Sequence, residues 1–159
     1  FFADYQSFRY DPAQPYNEQF EALAAHRRWS TDGNTYNNAR ERFQQAMADA
    51  FEYDFGSQDT DYNAWVRLCN AMGIEPVPPS ITQCRMAIKN VHVNLVDMHT
   101  VYRKRKLTGD QRSIHQLLTF YPTQKALSNY IRADKEKRTF RKNQAKEGGL
   151  LKHLLRHVF

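Results

Sequence analysis

The sequence predicts an all-α protein, a compact irregular bundle of about six helices preceded by an aromatic-rich N-terminal arm. Apolar residues recur at spacings of three and four in several segments, which is the periodicity of helices that face a core. Only residues 91–95 alternate like a strand, and a strand without a partner is not stable. With 159 residues and 41% hydrophobic content, the chain can form one domain with a core, so we predict a single domain over residues 1–159.

Residues 1–16 are predicted to form an irregular arm. Aromatic side chains surround Pro12 and Pro15, two residues that disfavour regular structure. These aromatics are Phe1, Phe2, Tyr5, Phe8, Tyr10 and Tyr16. Because large rings avoid water, we expect them to be buried on the helical body; an exposed peptide ligand is the alternative.

Three helices are predicted in the first half of the chain. The first spans residues 17–28, with Asn17 as its N-cap. The second spans residues 35–53, presents an apolar stripe to the core and ends before a glycine. The third follows Thr60 as its N-cap and ends at Gly73. Its core-facing residues, at positions i, i+3, i+4 and i+7, are Trp65, Leu68, Cys69 and Met72.

A proline-rich break at residues 76–79 separates this part from the second half of the chain. From Ser80 onward the sequence has the S-x-x-Q form of a capping box, which starts a helix. Apolar positions between residues 81 and 102 keep spacings of three and four, so they predict one long helix that is broken near Asn94. A strand over residues 91–95 is the alternative.

The rest of the second half is predicted to contain a basic loop at residues 104–109, a helix that opens at Thr123 and a final helix over residues 142–157. The final helix would contain the pair Gly148-Gly149. Two helical glycines cost about 2 kcal/mol relative to alanine. We therefore expect another helix to approach this face closely, with a kink as the alternative.

The two halves of the chain carry opposite charge. Residues 1–80 have six basic and twelve acidic residues, a net charge of −6, whereas residues 81–159 have seventeen basic and five acidic residues, a net charge of +12. An asymmetry of this size predicts a charged partner. That partner is either another molecule or the acidic half of the same chain lying against the basic half.

Two basic clusters in the second half are the predicted partner- or phosphate-binding sites. The first basic cluster consists of Arg103, Lys104, Arg105 and Lys106. The second basic cluster consists of Lys135, Lys137, Arg138, Arg141, Lys142 and Lys146. Such residues bind phosphates through counterion release, but they also cover ordinary solvated helix faces. We find no zinc-finger, RNP or helix-turn-helix pattern in the sequence that would position them on bases.

Side chains with catalytic or metal-binding potential do not form a recognisable site in the sequence. Cys69 and Cys84 lie in apolar helical settings, which favours buried, unreactive thiols in a reducing compartment; a disulfide between them is the alternative. His153 and His157 share a helix face, but a third ligand and the Glu of a zinc hydrolase motif are missing. His99 is assigned to an ordinary surface or core position. We therefore predict no catalytic residue, metal, cofactor or small-molecule substrate.

These observations favour a non-enzymatic interaction module inside the cell, in the cytoplasm or the nucleus, that binds an acidic protein partner through its basic second half. Sequence-independent binding of DNA or RNA is the alternative, and an unrecognised enzyme is the third hypothesis. No apolar run approaches the roughly 20 residues that cross a bilayer, so no membrane span is predicted.

Several short clusters form a pattern that covers most of the chain after Trp29. They are Trp29, Phe43, Phe51, Phe55-Gly56, Trp65, Leu68-Cys69, Gly73-Ile74, Ser80-Ile81, Cys84, residues 93–97, Phe140, residues 143–151 and Leu154-Leu155-Arg156. This pattern resembles a helical domain of uncharacterised proteins from filamentous ascomycete fungi. The resemblance implies a fungal, intracellular helical module without an established activity, so it assigns no catalytic or binding residue. The basic run at residues 103–106 departs from the pattern.

Overall fold

The computed structural model describes residues 1–157, and within that range the chain forms nine α-helices. They are α1 (Tyr16–His26), α2 (Asn34–Phe55), α3 (Tyr62–Ala71), α4 (Ile81–Lys89), α5 (Leu95–Thr108), α6 (Ile114–Leu117), α7 (Gln124–Ala133), α8 (Lys135–Arg138) and α9 (Leu150–His157). The predicted all-α class is confirmed. The helices outnumber the predicted six because α6 and α8 are four-residue helices and the long helix is split into α4 and α5. None of the nine is long and apolar enough to cross a membrane.

An apolar core cluster joins helices from both halves of the chain. It contains the predicted stripe of α2, in which Phe43, Met47 and Phe51 are buried, and all four core-facing residues predicted for the third helix. Helices α5 and α9 of the basic half add buried residues such as Met98 and Leu154. The acidic and basic halves therefore share one core.

The N-terminal arm packs against α1 and α2, as its aromatic composition predicts. Measured between centroids, the Phe1 ring lies 5.5 Å from the Phe43 ring and 6.0 Å from the Phe20 ring. The Phe2 ring stacks on the Tyr10 ring at 4.3 Å. Because these rings of the arm are half-buried, they extend the core rather than forming an exposed ligand.

Side-chain caps set the start of several helices. The Ser80 hydroxyl accepts a hydrogen bond from Gln83 N at 3.3 Å, so this serine caps α4 as predicted. Helix α3 is capped by Asp61 instead of Thr60, since the Asp61 carboxylate accepts from Asn63 N at 3.0 Å. Sequence alone does not separate two adjacent residues that can both cap a helix.

The predicted break near Asn94 is confirmed. Asn94 is the N-cap of α5, and its Oδ1 accepts a hydrogen bond from Asp97 N at 3.0 Å. Before that cap, His92 O accepts from Tyr121 N at 2.8 Å in an isolated antiparallel bridge. The strand-like alternation of residues 91–95 therefore reflects a short extended stretch between two helices.

The predicted basic loop at residues 104–109 is wrong. Helix α5 continues through this segment to Thr108 and ends at Gly109, which has a φ of +67°. No helix-breaking residue precedes that glycine, and Arg105 and Lys106 near the C-terminus interact favourably with the helix dipole.

The final helix, predicted over residues 142–157, begins only at Leu150. Gly149 lies directly against α2, because a Cβ on this glycine would be 2.6 Å from Glu52 Oε1. The same oxygen accepts a hydrogen bond from Leu151 N at 3.2 Å, so Glu52 caps the N-terminus of α9. The predicted close approach of another helix therefore exists at Gly149 but not at Gly148, where a Cβ would meet nothing within 4 Å. It occurs at the start of α9 and not in the middle of a helix.

Gly73 and Gly109 form a matched pair for measuring close packing at a left-handed glycine. Their φ angles are +70° and +67°, so alanine at either position is expected to lower the free energy of unfolding by about 1 kcal/mol. At Gly73 the added methyl would also collide with Ile114 Cγ2, whereas it would meet nothing within 4 Å at Gly109. In urea denaturation we expect Gly73→Ala to lose at least about 1 kcal/mol more than Gly109→Ala. Equal losses would contradict the packing of α6 against the end of α3.

Candidate functional site

Residues of the second basic cluster form the rim of a groove that has an apolar floor. Its volume is about 580 Å³, and it is bordered by the start of α5, the end of α7, α8, residues 139–143 and α9. The apolar lining consists of Val93, Leu95, Ile131, Phe140 and Leu155. The cations around it are Lys135, Arg138, Arg141 and Lys142. We call this feature the basic groove.

Four of the six residues of the second basic cluster thus line the basic groove, and two do not. The Lys137 ammonium lies 3.9 Å from Asp134 Oδ2. Lys146 lines a separate cavity that also contains Glu52. The six residues are neighbours in the sequence, but in the structure four of them border an apolar surface.

Helix α8 carries two of the four rim cations, and its carbonyl oxygens are held by side chains. A helix of four residues cannot satisfy its own carbonyls. Lys135 O accepts from Thr139 Oγ1 at 2.8 Å. The remaining three carbonyls accept hydrogen bonds from three other elements of the structure. Glu136 O accepts from Arg40 Nη2 at 3.4 Å, and Lys137 O accepts from Asn17 Nδ2 at 2.8 Å. Arg138 O accepts from Asn94 Nδ2, also at 2.8 Å. These bonds fix the position of α8 relative to α1, α2 and α5.

Two of these donors have roles that differ from the sequence prediction. Asn17 is not the N-cap of the first helix, because α1 already begins at Tyr16 after Pro15. Its side chain is therefore available to reach Lys137 O. Arg40 belongs to the predicted core-facing helix, but its polar role was missed because its partners Glu21 and Glu136 are 19 and 96 residues away in the chain.

Arg40 is 2% exposed and forms the central polar contact between the halves. Its Nη1 lies 3.0 Å from Glu21 Oε1 on α1, and its Nε lies 3.5 Å from Glu136 Oε1 on α8. The guanidinium also lies over the Phe20 ring, 4.9 Å from the centroid. A buried charge of this kind is tolerated because carboxylates and a ring face surround it.

Arg138 is held rigidly at the rim of the basic groove. Its Nη1 donates to Tyr130 O at 2.6 Å, and its guanidinium lies 3.9 Å from the centroid of the Tyr130 ring. The Tyr130 hydroxyl in turn donates to Asp97 Oδ2 at 2.7 Å. The cation is thereby fixed to α7, and through Tyr130 to the first turn of α5.

The first basic cluster does not form one surface. Successive residues of a helix point about 100° apart, so the four side chains diverge around α5. Lys106 Nζ lies 3.8 Å from Asp54 Oδ1, and Arg105 Nε donates to Asp110 O at 3.4 Å. Arg103 lines a cavity beneath the N-terminal arm, and Lys104 is exposed. The four cations are therefore consecutive in the sequence but do not form one basic surface patch.

A buried polar network links α1, α2 and α5 beside the core. His99 Nε2 lies 2.7 Å from Asp54 Oδ2, and the Tyr16 hydroxyl lies 3.3 Å from His99 Nδ1. His99 is fully buried, with the Phe51 and Phe55 rings at 5.4 Å and 5.8 Å. The role of His99 was not predictable from the sequence, because Asp54 and Tyr16 are 45 and 83 residues away in the chain.

Burial and hydrogen bonding set the protonation of this network. Burial lowers the pKa of His99, against the opposing effect of the Asp54 carboxylate. Burial alone would raise the pKa of Asp54, but the hydrogen bond from His99, together with the charges of Arg103 and Lys106, outweighs burial, so the pKa is lowered. Burial raises the pKa of Tyr16. The neutral imidazole therefore donates from Nε2 to an ionised Asp54 and leaves Nδ1 as an acceptor. The Tyr16 hydroxyl has two acceptors within reach, His99 Nδ1 at 3.3 Å and Val96 O at 3.4 Å.

The remaining candidates for chemistry are buried or paired. Cys69 and Cys84 are both free and buried, and burial raises the pKa of the Cys69 thiol to about 12, which makes it a poor nucleophile. His153 Nδ1 lies 3.2 Å from Asp59 Oδ2, while the side chain of His157 lies outside the described residues. Among the described residues, no three His, Cys, Asp or Glu side chains are arranged to hold a metal ion.

The acidic and basic halves do not neutralise each other extensively. In the described part of the chain, the ion pair between Lys106 and Asp54 is the one that joins a lysine or arginine of the basic half to an acid of the acidic half. In the ion pair between Arg40 and Glu136, the cation belongs to the acidic half and the carboxylate to the basic half. Among the rim cations, Arg141 is the one with a carboxylate nearby in the described part of the chain: its Nη2 lies 3.9 Å from Glu136 Oε1. Most of the positive charge of the basic groove therefore faces solvent.

Comparison with known proteins gives no relative: no family model, no curated protein and no solved structure matches the chain. The resemblance to a helical domain of ascomycete proteins stays a prediction.

The substitution His99→Gln tests the buried network. Glutamine can still donate to Asp54 but does not titrate. Because burial lowers the pKa of His99, the unfolded chain binds a proton near its ordinary pKa of about 6.5 before the folded chain does. The His99 contribution to the free energy of unfolding is therefore complete above about pH 6.5 and is lost as the pH falls toward the lowered pKa.

In urea denaturation we expect the wild type to be more stable than His99→Gln by about 1–3 kcal/mol at neutral pH, with a difference that narrows toward about pH 5.5. His26→Gln is the control, since His26 is exposed and should give little difference at neutral pH. A difference that widens on acidification would contradict the assigned direction of the His99 pKa.

The substitution Asn94→Ser separates the two roles of this side chain. Serine can still cap α5, but its hydroxyl lies too close to its own backbone to replace the Asn94 amide as donor to Arg138 O. We expect a loss of about 1–2 kcal/mol in the free energy of unfolding, because the carbonyl loses its partner, together with faster amide exchange in residues 139–141. Asn94→Ala also removes the cap and should lose about 1 kcal/mol more. Wild-type stability and exchange in Asn94→Ser would mean that this hydrogen bond does not hold α8.

Proposed function

We propose that the chain is a non-enzymatic interaction module that binds an acidic protein segment in the basic groove. The observation that carries this proposal is the juxtaposition of an apolar floor with four cations that are largely free of carboxylate partners. The apolar floor would supply affinity by excluding water from the bound side chains. The cations would select acidic partners and accelerate their association.

The apolar floor favours a protein segment over a nucleic acid. Nonspecific nucleic-acid binding depends on cations that follow a phosphate backbone, usually beside exposed aromatic rings that stack on bases. In the basic groove the aromatic side chain is Phe140, which is 5% exposed and belongs to the core. Aliphatic side chains with a charged border are instead typical of the centre and rim of a protein interface.

The thiols are consistent with a location inside the cell, which we also propose. Cys69 and Cys84 are buried and free, the state expected in the reducing cytoplasm or nucleus. A fungal origin and membership of the ascomycete domain rest on the sequence pattern described above.

Two double variants with the same charge change test the proposal. Arg141→Glu with Lys142→Glu reverses two rim cations, whereas Lys89→Glu with Lys104→Glu reverses two exposed cations outside the basic groove. The probe is a fluorescent acidic peptide of about 15 residues with leucines at helical spacing. By fluorescence anisotropy we expect the rim variant to lose at least about tenfold in affinity and the control to stay within about threefold.

A single-stranded oligonucleotide of mixed sequence is the second probe in this experiment. We expect it to bind more weakly than the peptide and to lose that binding between about 50 and 200 mM salt. Equal losses in the two double variants would show that only the overall charge matters. Combined with tighter binding of the oligonucleotide, that result would favour the nucleic-acid alternative over the proposed function.

A further inference from the structure

Resting on the proposed function, we infer that Arg138 is the residue that determines which acidic segments bind, by receiving one carboxylate beside the apolar floor. The partner would then be recognised by a carboxylate next to a bulky apolar side chain, and not by its overall negative charge. The other rim cations contribute attraction without a fixed geometry.

The Arg138 guanidinium has a fixed position. Tyr130 holds it through a hydrogen bond from Nη1 to its carbonyl oxygen and through contact with its ring face. Asn94 holds the main chain of the same residue through Arg138 O. A cation that is already ordered loses little conformational freedom when a ligand arrives, so it binds more tightly and more selectively than a mobile one.

One edge of the Arg138 guanidinium remains available for a ligand. Nε and Nη2 of Arg138 make no hydrogen bond to the described residues, and neither atom is shut off from solvent. These two donors form the edge of arginine that pairs with both oxygens of a carboxylate. By contrast, Lys135, Arg141 and Lys142 are exposed, and lysine cannot make this paired contact.

Apolar residues lie in the same groove as this edge of Arg138. Arg138 lines the same groove as Ile131 and Leu155, which are half-buried and keep apolar surface open to the groove, with Val93, Leu95 and Phe140 buried behind them. A carboxylate bound by Arg138 would bring the neighbouring side chains of its own chain over this floor. The apolar contact and the carboxylate contact would then be made by adjacent residues of the partner.

Two peptides of identical composition test this inference. One carries each leucine next to a glutamate, and the other collects all leucines at one end and all glutamates at the other. We expect the wild type to prefer the first peptide by at least about tenfold, the ratio that one paired, charge-assisted contact gives. The charge-conserving variant Arg138→Lys should abolish this preference, whereas Lys135→Gln should weaken both peptides by a similar factor and keep it.

A second variant, Tyr130→Leu, keeps Arg138 and the net charge of the chain. It removes the ring that orders the guanidinium, so the preference should fall although the net charge is unchanged. Urea denaturation of each variant verifies that it is folded under the binding conditions. Equal binding of both peptides by the wild type, or a preserved preference in Arg138→Lys, would overturn the inference and leave the proposed function standing. Failure of the wild type to bind either peptide would overturn both.

Discussion

The basic groove depends on the hydrogen bonds that satisfy the carbonyl oxygens of α8. A single helical turn has no internal partners for these groups, and each of the four receives a side-chain donor. Three of the donors, Asn17, Arg40 and Asn94, come from α1, α2 and the N-cap of α5. Without them, Lys135 and Arg138 would be carried by a mobile loop, and the cations would have no defined position over the apolar floor.

Helix α5 connects this arrangement to the rest of the molecule. Its N-cap holds Arg138 O, while one turn further along the helix His99 joins Asp54 and Tyr16 in the core. The polar network therefore fixes α5 against the acidic half, and the N-cap of the same helix fixes α8. Apart from Arg141, which lies 3.9 Å from Glu136, the rim cations have no carboxylate within 4 Å in the described part of the chain. The buried charges that stabilise the fold are instead Arg40 and Asp54 in the first half of the chain.

Local patterns predicted the elements whose signals lie within a few residues of each other. The stripe of α2, the four buried residues of α3, the Ser80 cap and the break at Asn94 followed from periodicity and capping chemistry. The segment at residues 104–109 was wrongly assigned to a loop, because its basic composition was given more weight than the absence of a helix-breaking residue before Gly109. The start of α9 was misplaced, because its cap, Glu52, is 99 residues from Leu151 in the chain.

The site itself was predictable only in part. Charge along the sequence indicated the second basic cluster, but not which members would border an apolar surface, since that depends on Val93, Leu95 and Leu155 meeting Phe140. The most direct measurement is an NMR titration of the ¹⁵N-labelled chain with a leucine-containing acidic peptide. The proposal predicts amide shift changes concentrated at residues 93–95, 131–143 and 155, with little change at residues 103–106. Changes centred on residues 103–106, or spread evenly over the basic half, would contradict it.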